Sequence, residues 1–130
     1  IKKYNLQIIF ESNFPPEKLK IFISKLPKKY FGINYDTGNS ASLGYNHEEE
    51  FDAYFEYIKN VHIKDRILGG TTVPLGEGDA NLSGILIDLL KRNYSRNLIL
   101  QTARDKNKHL EVLCNYREFV LNIINHYEKK

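Results

Sequence analysis

The chain has no methionine, one cysteine and no long apolar run. With Cys114 alone, no intrachain disulfide can form, and a reducing, cytoplasmic setting is the default expectation. Cys114 has no histidine beside it in sequence and lies within a helical pattern, which predicts an inert thiol rather than a nucleophile. No apolar stretch approaches the roughly 20 residues a membrane span needs, so a membrane partner is not expected. No signal-peptide pattern opens the chain. The two signs of charge nearly balance as well: the formal net charge is only +3. The lysines are spread along helices at Lys18, Lys20, Lys25, Lys28 and Lys29 and at the C-terminal Lys129-Lys130, which reads as solvated surface and argues against a nucleic-acid partner. A translated chain needs an initiator, and here the first residues lead from Ile1 almost directly into a strand. The expectation is a fragment, a processed product or a trimmed form cut inside a larger domain.

What is present is a repeated pattern. Four short apolar runs each end on a residue able to bind a metal or move a proton: Leu6–Phe10 into Glu11, Phe31–Tyr35 into Asp36, Asn60-Val61 into His62, and Asn97–Leu100 into Gln101. Each is followed by an amphipathic stretch. After Pro15-Pro16 come Leu19, Phe22, Ile23 and Leu26 at helical spacing, stopped by Pro27. Thr37-Gly38-Asn39-Ser40 reads as a loop. Phe51, Tyr54, Phe55 and Ile58 form the next apolar face, and the acidic run Glu48–Glu50 at its start suits the helix dipole. The third strand carries Val61–Arg66, and a Gly-rich loop runs from Ile67 to Asn81. Asp79 or Asn81 can cap the helix bearing Leu82, Ile85, Leu86, Leu89 and Leu90. The last helix shows Tyr116, Phe119, Val120, Ile123, Ile124 and Tyr127.

Apolar strands alternating with helices predict a parallel α/β sheet built of four right-handed βα units in a single domain. A full (β/α)₈ barrel needs about 250 residues, so four units make half of one. An open half-barrel leaves two unpaired edges and a bare inner face, to be covered by the missing half or by self-association with a second copy. In such barrels functional groups collect where the strands end. Glu11, Asp36 and His62 would then converge on one rim, where two carboxylates and an imidazole suit one divalent ion: Mn²⁺, Co²⁺, Zn²⁺ or Mg²⁺. Singly, each is equally a cap or a local hydrogen-bond partner. An open flavodoxin-like sheet is the alternative architecture, but Glu11–Pro16 makes a poor phosphate-binding first loop.

The wording of four segments carries a resemblance. Phe10-Glu11-Ser12-Asn13-Phe14-Pro15-Pro16-Glu17, Gly32-Ile33-Asn34-Tyr35-Asp36-Thr37-Gly38-Asn39-Ser40-Ala41-Ser42-Leu43-Gly44, Val61-His62-Ile63-Lys64-Asp65-Arg66 and Pro74-Leu75-Gly76-Glu77-Gly78-Asp79-Ala80 resemble the xylose isomerase-like TIM barrel family, within it the sugar-phosphate isomerase/epimerase branch. The match implies the C-terminal half of that barrel. It implies one divalent metal held by a Glu, an Asp, a His and a second Glu from the last four strands, with Glu11, Asp36 and His62 in the first three places. The substrate implied is a sugar or sugar phosphate, and the chemistry is proton transfer beside a metal-polarised carbonyl.

The fourth place falls on Gln101, whose amide can ligate but cannot act as a base near neutral pH. Two-carboxylate epimerisation therefore loses one partner, and Glu11 is left as the candidate base. Lys64 and Arg66 are further catalytic candidates, to hold a phosphate or sugar hydroxyl; pairing with Asp65 as plain salt bridges is the other reading. Asn39, Asp65 and Arg104 are the substrate-binding candidates. The glycines of the long loop either present backbone N–H groups to a phosphate or form a flexible turn. His47, His109 and His126 read as surface residues. The competing function is a truncated or degenerate barrel that acts as an interaction module or is inactive alone. A DNA-repair role on the same fold needs several strand-end histidines, and only His62 qualifies.

Overall fold

The computed structural model describes residues 2–129, so Ile1 and the Lys130 of the terminal lysine pair lie outside it. Strand β1 (Ile8–Phe10) leads to α1 (Pro16–Ser24), which opens on proline and buries Leu19 and Ile23. The helix stops before Leu26 because a residue preceding proline avoids the helical region. Strand β2 (Phe31–Asp36) ends where α2 (Thr37–Leu43) begins, then α3 (His47–Tyr54) follows. A single 3₁₀ turn at Phe55–Tyr57 leads into β3 (Ile58–Ile63), so Ile58 opens the strand instead of closing the helix face. The expected single strand through Arg66 is interrupted at Lys64: β4 (Asp65–Arg66) pairs antiparallel with β5 (Thr72–Val73) in a small hairpin inside the Gly-rich loop. Helix α4 (Leu82–Lys91) is capped by Asn81, whose side chain accepts the Gly84 N–H at 3.1 Å. Strand β6 (Leu98–Leu100) and α5 (His109–Glu128) complete the chain.

Strands β1, β2, β3 and β6 form one sheet in that order, and every pair is parallel. This is the parallel α/β sheet that the alternation of strands and helices predicts. The helices cover one face. Ile33, Tyr35, Val61 and Ile63 point into them and join Leu19, Ile23, Phe51, Leu82, Ile85, Leu86 and Leu89 in the core. Of the stripe on α5, only Val120 is buried, and the others lean on the core from its margin. Cys114, also on α5, is exposed rather than buried. Among the described residues no helix is long and apolar enough to cross a membrane.

The opposite face belongs to the alternate residues. It carries Glu11, Asn34, Asp36, Asn60 and His62, and at its edges Ile9 (41 % exposed) and Ile99 (43 % exposed). One irregularity sets its phase. Between Ile33 and Asn34 the register with β3 slips by one residue, so Ile33 pairs with Ile58 but Asn34 with Asn60 and Asp36 with His62. The extra residue is Lys59, whose stem crosses Gly32 so closely that a Cβ there would come within 2.2 Å of it. Bulges of this kind are common beside functional sites because they re-aim side chains.

Candidate metal centre at the strand ends

Glu11, Asp36 and His62 are brought together by three adjacent strands, each offering one ligand atom within 4.8 Å of the others. His62 Nδ1 lies 3.5 Å from Glu11 Oε2 and 3.8 Å from Asp36 Oδ2. Asn34 Nδ2 stands 3.0 Å from the same Nδ1. That amide nitrogen can only donate, so Nδ1 accepts and the ring proton sits on Nε2. Two carboxylates and an imidazole nitrogen converging on one point are a donor set that fits a divalent cation. One buried polar atom near it, Asn60 Oδ1, has no hydrogen-bond partner.

The turn after β2 is what holds Asp36. Thr37–Ser40 is not a loop, as its composition suggests, but the first turn of α2. Asp36 caps it by accepting the Asn39 N–H at 2.8 Å. Thr37 is fully buried, and its hydroxyl accepts the Lys64 N–H at 2.9 Å and donates to the Lys64 carbonyl. Lys64 then reaches back across Gly38 to Asp36, Nζ to Oδ2 at 3.1 Å, with both side chains largely buried. Any Cβ at Gly38 would come within 2.6 Å of the Lys64 stem, so only glycine permits this path. Lys64 therefore pairs with a candidate ligand, and not with Asp65.

The other sequence candidates divide. Asn39 joins the group: its Nδ2 donates to Glu11 Oε1 at 2.8 Å and its Oδ1 accepts from Arg66 Nη1 at 2.9 Å. Arg66 also donates to the Gly70 carbonyl from Nε and Nη2, at 3.2 and 2.6 Å. Asp65 does not face the rim. It is 0 % exposed, and its carboxylate accepts the backbone N–H groups of Gly76, Gly78 and Ala80 at 2.8, 3.0 and 3.0 Å. The loop amides that a phosphate would need are thus already turned on an internal anion, and the substrate-binding expectation for Asp65 is corrected to an anchor of the loop. Gln101 lies beyond the last rung of β6, with its N–H on the Ile63 carbonyl at 3.0 Å. Its side chain is exposed and, among the described residues, has no hydrogen bond to Glu11, Asp36 or His62. It lines a separate shallow pocket with Thr102, Arg104 and His109. Strand β6 ends before Gln101 just as β1 ends before Glu11, but among the described residues no side chain holds Gln101 toward the group, whereas the Asn39 amide holds Glu11.

Three residues of this neighbourhood escape a reading of strand ends. Asn34 and Asn60 are signalled only by alternation, which puts them on the face of Asp36 and His62. Glu50 hides in the acidic run. Glu48 and Glu49 do lie exposed at the start of α3, but Glu50 is 4 % exposed. Its carboxylate accepts from Tyr35 at 2.9 Å, from Tyr54 at 2.8 Å and from Ser40. Burial pushes the Glu50 carboxyl up from the usual carboxylate range, against the three hydroxyls, which pull it down. The Tyr35 and Tyr54 hydroxyls are raised in turn, by burial first and by the charge of Glu50 second. Since Tyr35 adjoins Asp36 and Ser40 adjoins Asn39, Glu50 ties both sides of the turn that carries the site. A cavity of about 20 Å³ lies between Glu50 and the Glu11–Asn39 pair, room for one water.

Residues 3–118 match the family model described as xylose isomerase-like TIM barrel. The chain belongs to this family. Solved structures of the xylose isomerase-like fold agree in architecture. A xylose isomerase domain protein from Planctomyces limnophilus superimposes with a TM-score of 0.80 at 20 % identity, over 95 % of this chain and 49 % of that one. Another, from Alicyclobacillus acidocaldarius subsp. acidocaldarius, gives 0.68 at 18 % identity, over 85 % of this chain and 43 % of that one. A D-tagatose 3-epimerase-like protein gives 0.65 at 26 % identity, over 95 % of this chain and 51 % of that one. The chain thus spans about half the length of the solved structures it matches. No curated protein matches it.

Proposed function

We propose that this chain is the C-terminal, metal- and substrate-holding half of a divalent-metal-dependent sugar or sugar-phosphate isomerase/epimerase-like barrel. The observation that carries the reading is the convergence of Glu11, Asp36 and His62 at the ends of three neighbouring parallel strands. Family membership and the likeness to a D-tagatose 3-epimerase-like protein support it. A bound Mn²⁺, Co²⁺, Zn²⁺ or Mg²⁺ would polarise a sugar carbonyl and acidify the proton on the adjoining hydroxyl-bearing carbon. Glu11 is the carboxylate placed to take that proton. Lys64, held on Asp36, supplies a cation for a sugar hydroxyl or phosphate oxygen. Gln101 offers no second base, so transfer by a single carboxylate, as in aldose–ketose isomerisation, is favoured over two-base epimerisation. The open edges of β1 and β6 and the exposed Ile9 and Ile99 support a requirement for the complementary half-barrel, or a second copy, over the inner face.

The test is exchange of carbon-bound hydrogen with D₂O in a panel of aldoses, ketoses and their phosphates, followed by NMR with Mn²⁺ present and the complementary half supplied. Metal-dependent exchange that disappears in Glu11→Gln is the expected result. Absence of exchange from a metal-loaded protein would reject it. The second reading, a degenerate barrel serving as an interaction module or inactive alone, would then be preferred; the position of Gln101 outside the ligand group is the observation that favours it.

A further inference from the structure

Glu11 stands at the tip of a three-residue edge strand, on a long side chain that is 41 % exposed. Such a group ordinarily samples many rotamers, and fixing it costs conformational entropy. Here both of its oxygens are gripped, each by a different amide. Asn34 Nδ2 donates to Oε2 at 2.8 Å and Asn39 Nδ2 donates to Oε1 at 2.8 Å. We propose that Asn34 and Asn39 are positioning residues that lock the Glu11 carboxylate, one amide on each oxygen, in the orientation that the group with Asp36 and His62 requires.

The direction of both amides is itself determined. Arg66 can only donate, so the Asn39 atom it touches is the oxygen, and the Asn39 NH₂ must face Glu11. Arg66 is in turn held by the Gly70 carbonyl through two of its nitrogens. On the other side Asn34 meets two acceptors, Glu11 Oε2 and His62 Nδ1, with its NH₂, and its Oδ1 accepts from Asn60 Nδ2 at 2.7 Å. Two chains of donors therefore run inward, Arg66 to Asn39 to Glu11 and Asn60 to Asn34 to Glu11. Aligned chains of this kind polarise and strengthen one another in a partly buried setting. The relay ends on an unpaired atom, Asn60 Oδ1: turning that amide over would set its oxygen against the Asn34 oxygen and remove the donor that orients Asn34. Each carboxylate oxygen keeps a free lone pair after accepting one amide, so the grip leaves Glu11 able to ligate or to take a proton. In this arrangement Arg66 acts through Asn39 rather than on substrate.

What the orientation serves rests on the metal reading; the grip itself does not. The experiment therefore has two arms. In the first, side-chain ¹⁵N–¹H exchange of Asn34 and Asn39 is measured without metal in the wild type and in Glu11→Ala. Both amides are expected to be protected in the wild type and to exchange at least about tenfold faster in the variant, while exposed Asn13 does not change. Unchanged exchange of either amide overturns the proposal. In the second arm Mn²⁺ binding and thermal midpoint are measured for Asn34→Ala and Asn39→Ala. Weakening of Mn²⁺ binding by about tenfold in each is expected, with the thermal midpoint of Asn39→Ala close to that of the wild type, an effect a merely structural residue would not produce. Wild-type Mn²⁺ binding that both variants retain undiminished also overturns the proposal. If the first arm succeeds and the wild type binds no Mn²⁺, the grip stands and the metal reading falls.

Discussion

On the helix-covered side of the sheet, Ile33, Val61 and Ile63 are no more than 1 % exposed and belong to the apolar core. On the other side, Asn34, Asp36, Asn60, His62 and Lys64 fill the intervening positions, and each meets a polar partner in the same small group. The same strands thus carry two different kinds of order. The outer face is held by burial, which is non-directional and tolerant of detail. The inner face is held by donors and acceptors whose geometry must agree, and it keeps isoleucines open to solvent at its margins. Stability should respond to the first face and chemistry to the second.

The sharpest way to break that division is to damage the packed face. Ile63→Ala should cost about 2–5 kcal/mol in chemical denaturation, because a buried methylene cluster is replaced by a cavity. A cost below about 1 kcal/mol would mean that β3 is not the centre of the core. Next is Asp65, a buried acid that anchors the loop. Asp65→Ala strands three backbone N–H groups and should cost about 2–4 kcal/mol, less than three full penalties because the loop can partly rehydrate. Proteolysis within residues 67–81 should quicken in parallel.

Glu50 probes the border between the two faces. Its folded pKa is raised above the ordinary value of 4.5, so its contribution to stability is fully present below that value and is lost as pH rises through the folded pKa. The wild-type thermal midpoint should therefore fall as pH climbs from about 4.5 toward neutrality, relative to Glu50→Gln, in which that part of the pH dependence is removed. Parallel curves for the two proteins would contradict a raised Glu50. The smallest change in stability is expected at the rim: His62→Ala should shift unfolding by no more than about 1 kcal/mol, since its ring is not part of the core.

Much of this was legible from the residues in order. The strand ends at Glu11, Asp36 and His62 stood out because apolar runs stop there, and the parallel topology follows from their alternation with helical stripes. Helix α2 was not legible. Thr37-Gly38-Asn39-Ser40 has poor helix propensity, and it is helical because Asp36 caps it and Thr37 is pinned to Lys64, a contact 27 residues away. Glu50 could have been found: it lies four residues before Tyr54, so the buried stripe of α3 includes it, but a run of three acids suggests solvent. Gln101 was given its place by analogy with its three predecessors. Strand β6 is no shorter than β1, but among the described residues no side chain holds Gln101 toward the group as Asn39 holds Glu11, and no sequence pattern announces such a partner.

The central claim is that the inner face holds one divalent cation between Glu11, Asp36 and His62. Calorimetric titration of the chain with Mn²⁺, Co²⁺ and Zn²⁺, beside His62→Ala, tests it most directly. The account predicts close to one ion per chain, lost in the variant while its unfolding curve stays near that of the wild type. A well-folded wild type that binds none of the three, or a variant that binds as tightly, would contradict it.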